Sequence, residues 1–163
     1  MSGLTDAQFN WQPGPARWSM AGCFDHLNKS AAGLFIPKID AAIAAANAQG
    51  LKSNGPFAYP ALARWLVRTS DAPAGMKFKA QKDFQPAPHL SIDEVRAQFT
   101  RWQDELGARL RNADGLDLRR ARAIFPFWPL KFSLGSLIQM MLAHERRHVH
   151  QAREVRQNPA FPA

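Results

Sequence analysis

Residues 144–151 read HERRHVHQ, which puts three histidines and a glutamate within seven positions. His144 and His148 are one turn apart if this stretch is helical, and two imidazoles so spaced can converge on one metal ion at about 2 Å from each nitrogen. Two nitrogens hold an ion poorly, so a metal reading needs a third ligand from elsewhere. The candidates are His26, His89 and Cys23. The plain alternative is a polar helix end whose histidines are merely hydrogen-bonded. The same letters also spell HExxH, the motif of zinc proteases in which the glutamate polarises a bound water. That chemistry fits badly: the extended pattern needs Gly at 151 and His at 154, where this chain has Gln151 and Glu154. No predicted strand lies beside the helix to align a peptide.

The element that must position this group is a helix capped by Ser133 and running to about Arg156. At about 100° per residue, Leu134, Leu137, Ile138, Met141, Ala152 and Val155 form one apolar sector facing the core. His148 and Glu145 fall inside that sector, His144 lies on its edge about 40° from His148, and His150 projects the other way beside Arg146 and Arg153. Two of the three histidines therefore face the interior.

His26 sits on a second helical stretch, from Met20 to about Gln49, with Ser19 as N-cap, Gly50 as C-terminal stop and Pro37 expected to kink or split it. One side carries Gly22, His26, Ser30 and Gly33, small residues that leave room for a partner helix or a cavity. His89 follows Pro86 and Pro88 and reads as a loop residue. Cys23, one turn before His26, reads as a small buried apolar side chain.

Residues 51–90 are rich in proline, carry one short helical candidate at Leu62–Thr69, and form a long crossover. Ser91 with Glu94 gives a capping-box pattern before Val95, Phe99, Trp102, Leu106 and Leu110, predicting a helix that ends near Asn112. Residues 124–132, IFPFWPLKF, read as a loop. No alternating strand pattern competes, and the expected architecture is an all-α helical bundle in a single domain, residues 1–163.

With 46% apolar and 21% charged residues the chain is globular in composition. The surplus of 21 Lys and Arg over 13 Asp and Glu gives a net charge of +8, but the basic residues are spread out and no nucleic-acid recognition motif accompanies them, so no nucleic-acid partner is expected. No run approaches the eighteen or so apolar residues that a membrane span needs and no signal-peptide pattern is visible, so the expectation is a cytoplasmic protein without a membrane partner. One cysteine excludes an internal disulfide framework.

Two segments, WSMAGCFDHL at 18–27 and FSLGSLIQMMLAHERRHVHQAREV at 132–155, resemble the DinB/YfiT-like superfamily. A Trp-Ser helix start eight positions before a histidine, followed late in the chain by an HxxxH helix, gives the resemblance its specificity. It implies a four-helix bundle with a long crossover, often a homodimer, and a divalent metal held by one histidine of the Trp-Ser helix and two of the last helix. Carried onto this chain, those ligands are His26, His144 and His148. Relatives usually have a helix of some twenty residues ahead of the Trp-Ser segment, where this chain has a short irregular lead. The expected first helix is thus shortened or missing, with closure by the Leu62–Thr69 helix or by a second subunit.

Relatives of known activity include thiol-dependent S-transferases and a maleylpyruvate isomerase. The functional expectation is a metal-dependent enzyme joining a low-molecular-weight thiol to a small electrophile, or a hydrolase with the same ligands, Glu145 orienting a ligand or a bound water. Zinc fits the three-imidazole set, as do nickel and iron. The rival expectation is a non-catalytic metal-binding or basic interaction module.

Overall fold

The computed structural model describes residues 3–73, 79–124 and 131–163, the side chain of Lys131 excepted. In chain order the elements are α1 (Asp6–Asn10), α2 (Met20–Ser30), a π-helical turn (Ala31–Phe35), α3 (Ile36–Ala48), α4 (Ala61–Ser70), a 3-10 turn (Lys82–Phe84), α5 (Ile92–Asn112), strands β1 (Arg122–Ile124) and β2 (Lys131–Ser133), and α6 (Leu134–Arg156). The fold is all-α apart from the two short strands.

The stretch expected to kink or split at Pro37 is helical from Met20 to Ala48 but divides just before the proline, where a π turn separates α2 from α3. Pro37 has no N–H and its ring crowds the carbonyl one turn back. Widening the preceding turn to i→i+5 bonding relieves that conflict, and the Ile36 N–H donates to the Ala31 carbonyl across five residues. The resulting helix, Met20–Ala48, is long and apolar enough by length and composition to cross a membrane, with a mean hydropathy of 1.2 in its best window; no such run was expected. The central helix of a bundle meets the same criterion, and here α2 and α3 pack against both α5 and α6.

Two clusters of buried side chains define how the helices run. Leu34, Ile39, Leu106, Leu134 and Leu137 share one with the late part of α3, while Phe9, Phe24, Val95, Ala152 and Val155 share the other with the start of α2. The starts of α2 and α5 thus meet the end of α6. So α5 runs parallel to α2–α3, α6 runs antiparallel to both, and the crossover exists because the chain must travel back before α5 can begin. Within it, α4 packs along α6, and α1 packs on α2 through the fully buried Phe9.

Ser19 and Ser133 cap α2 and α6 as expected, their hydroxyls accepting from the Gly22 and Ser136 N–H groups at 3.0 and 3.1 Å. Ser91 begins α5 but makes no side-chain cap bond. The Asp6 carboxylate supplies that acceptor from α1, 3.0 Å from the Ile92 nitrogen. The capping box of this fold is at Thr5 and Gln8. The absence of strands expected from the sequence is corrected by β1 and β2, an antiparallel pair with Ala123 opposite Phe132. Three residues are too few to show alternation. The core of the IFPFWPL segment, residues 125–130, lies outside the described residues.

Candidate metal centre

His26 and the pair His144 and His148 meet where the two buried clusters adjoin, on facing stretches of α2 and α6. One ring nitrogen from each lies within 4.8 Å of the others. The centroids are 4.6 to 5.0 Å apart, and the Nε2 atoms of His26 and His144 are separated by 3.0 Å. His26 and His148 are buried and His144 half-buried.

Hydrogen bonds to the outer nitrogens set the chemistry of the inner ones. His26 Nδ1 lies 2.7 Å from the Phe84 carbonyl oxygen, which can only accept, so Nδ1 carries the proton and the neutral ring presents a bare Nε2 lone pair. His148 Nδ1 donates in the same way to Gln151 Oε1 at 3.1 Å. Each contact is the kind of outer partner that fixes a metal-ligating imidazole. His144 differs, since its Nδ1 is buried without a hydrogen-bond partner among the described residues. Facing lone pairs at 3.0 Å repel unless a proton or a cation lies between them. Nitrogens held at about 2.0–2.1 Å around a tetrahedral zinc would be about 3.3 Å apart, close to the 3.0 Å between the His26 and His144 Nε2 atoms. The donor set fits a borderline divalent ion such as zinc, with nickel or iron also compatible.

The surroundings keep the rings neutral. Burial pushes His148 down to about 3, helped by the nearby His26 and Arg147, against the upward pull of Gln151. His144 is held well below the ordinary histidine range by burial and then by His148, His26 and Arg147. His26 is also lowered, burial outweighing the upward effects of the Phe84 carbonyl and Asp25. All three stay unprotonated near pH 7, the state a metal needs. Trp18 lies over His26 at 4.8 Å and stacks on His148 at 5.4 Å, and Phe35 packs on His144 at 5.6 Å.

The crossover closes the outer side of His26. The small-residue face expected to admit a partner helix or a cavity meets α6 at His26 and admits this segment at Gly22 and Gly33. A Cβ on Gly33 would lie 3.2 Å from the Phe84 ring, and one on Gly22 would lie 3.3 Å from Pro86. Asp25 accepts from the Ala87 N–H at 2.9 Å and pairs with Lys29, which donates to the Gln85 carbonyl. Phe84, which orients His26 through its backbone, was missed from sequence because a carbonyl acceptor leaves no residue-type signature.

The other sequence candidates lie elsewhere. His89 is exposed in a loop with φ of 53°. Cys23 is buried in the cluster at the start of α2, its thiol pushed up to about 12, chiefly by burial. His150 is half-exposed, its Nδ1 3.8 Å from Glu154. Glu145 is half-buried and accepts from Gln103 Nε2 on α5 at 2.9 Å. Burial raises its carboxyl, while Gln103 and Arg146 oppose the rise. No hydrogen bond joins Glu145 to a histidine among the described residues.

The central and last helices of this bundle together present three inward imidazoles that could hold a metal ion. The model of the DinB superfamily matches residues 1–152, nearly the whole chain, and the protein belongs to that superfamily. No curated protein and no solved structure matches it significantly.

Proposed function

We propose that this protein is a divalent-metal-dependent enzyme that joins a low-molecular-weight thiol to a small electrophile. The observation that carries the reading is the convergence of one nitrogen from each of His26, His144 and His148 within 4.8 Å. A divalent ion held by these three would supply a Lewis acid with a coordination position left open for thiol or water. The chain's own residues do the rest. Phe84 and Gln151 hold two imidazoles in the required tautomer, and Trp18 fixes their planes and limits water at the rings. Gln103 holds Glu145 on the turn between His144 and His148, where burial raises its carboxyl and suits it to exchange a proton.

A hydrolase would use the same ligands, and the raised Glu145 carboxyl is what favours this second reading. In the thiol reading the enzyme works in the cytoplasm, where thiols are kept reduced. It acts as a homodimer, supported by the exposure of Trp65 on α4, at 52%. Metal-loaded protein should accelerate conjugation of a thiol to an electrophile, and chelation should abolish that rate. Activity unaffected by complete metal removal would overturn the mechanism; ester hydrolysis without thiol transfer would select the second reading.

A further inference from the structure

A second site lies away from the histidines. Between α4, the turn after α5 and the start of α6 the surface forms a cleft of about 220 Å³ whose lining includes Leu62, Arg119, Arg122, Phe132, Ser133 and Ser136. Ser136 precedes His144 by eight residues on α6, a rise of about 12 Å along the helix. From its geometry we infer that this cleft binds a small organic acid, the oxyanion head between Arg119 and Arg122 and the apolar body against Leu62 and Phe132.

Neither guanidinium has an ion pair or a side-chain hydrogen bond among the described residues. The carboxylate nearest in sequence, Asp117, is turned to other work: its Oδ1 accepts from the backbone N–H groups of Arg119 and Arg120 at 3.1 and 2.9 Å. Two cations are thus left with donors suited to a carboxylate or phosphate. The amides at the start of α6 do not supply the site. Leu134 and Gly135 donate to the carbonyls of Ala121 and Leu118, and Ser136 donates to Ser133 Oγ.

A buried hydroxyl adds to the guanidinium pair. Ser133 and Ser136 are 5% and 1% exposed, and their hydroxyl oxygens are 2.8 Å apart. One hydroxyl donates to the other, so one O–H remains without an acceptor among the described residues. At about 30 Å³ per water the cleft holds the volume of about seven waters. That is below the roughly 300 Å³ at which sites for drug-sized ligands begin, a volume that suits a short acid.

The test is an NMR titration of metal-free ¹⁵N-labelled protein, so that no carboxylate can report from a metal at the histidines. The probes are benzoate, inorganic phosphate and the neutral benzyl alcohol. Benzoate should saturate in the millimolar range, shift the Arg119 and Arg122 Nε–H and the Ser136 amide signals, and bind at least tenfold more tightly than benzyl alcohol. Arg119→Gln and Arg122→Gln should each weaken it about tenfold, as loss of a charge-assisted contact predicts, and Ser136→Ala a few-fold with both charges in place. Binding undiminished in both arginine variants, benzyl alcohol equal to benzoate, or no saturation by about 50 mM, well beyond millimolar affinity, would each overturn the site. Phosphate binding more tightly than benzoate would overturn the part given to the apolar wall. Success or failure here is independent of the thiol-transfer reading, since no metal is present.

Discussion

Gathering three buried imidazoles around one point has a cost that acid should expose in the metal-free protein. Each ring is lowered in the folded state from an ordinary value of 6.5, His148 to about 3. Between the two values the unfolded chain binds a proton that the folded chain refuses, so stability is complete above about pH 7 and is lost as pH falls below 6.5. Each such group contributes about 1.4 kcal/mol per pH unit within its window. His148 supplies that slope from about 6.5 down to about 3, and His144 and His26 add to it with the same sign. Glu145 has the opposite sign, because a raised carboxyl binds its proton first in the folded state; it offsets part of the loss only below its own folded value. Against a total stability of about 5–15 kcal/mol, the metal-free protein should unfold within a few units below pH 6.5. Denaturant unfolding in chelator, at half-unit steps from pH 7.5 to 5, measures the slope. His148→Leu replaces the ring by an apolar group of similar bulk and should reduce the slope by about 1.4 kcal/mol per unit while raising stability at pH 5. A stability that stays flat from pH 7 to 5.5, or a slope that His148→Leu leaves unchanged, would refute the description of these rings as buried neutral bases.

Metal content should separate the histidines of α6: His26→Ala, His144→Ala and His148→Ala should purify largely metal-free by elemental analysis, since even outer partners in metal sites are worth about 10 to 100-fold in affinity, while His150→Ala keeps its metal. Gly135→Ala should destabilise by about 1–3 kcal/mol in thermal or denaturant unfolding, because its Cβ would collide with the Tyr59 ring and hydroxyl; adding Tyr59→Ala should cost less than the sum of the two single changes. Cys23, its thiol pushed up to about 12 and its side chain 1% exposed, should react with a disulfide reagent at pH 8 only at the rate of unfolding. Light scattering at micromolar concentrations should give a dimer, and Trp65→Glu on the exposed face of α4 should convert it to a monomer.

Most of the helical skeleton was legible from local signals. Ser19, Ser133, Asn112 and Arg156 mark helix ends that depend on capping chemistry and periodicity within a few residues, and the all-α class follows from them. The inward aim of His144 and His148 was legible for the same reason: a helix fixes the angle between residues four apart. Their meeting with His26 was named through resemblance, because periodicity left His89 and Cys23 open as partners; it is the antiparallel run of α6 against α2 that brings these rings together. What tertiary structure alone decided depends on groups distant in sequence. Asp6 caps α5 from 86 residues away, the crossover fills the small-residue face of α2, and the Phe84 carbonyl sets the His26 tautomer from 58 residues away. Pro37 was legible as an interruption, but that the interruption would be a π turn and not an end of the helix was decided by the packing on both sides. Backbone acceptors and long-range packing carry no residue-type code, so a linear pattern could show which residues were able to bind a metal but not what would hold them in place.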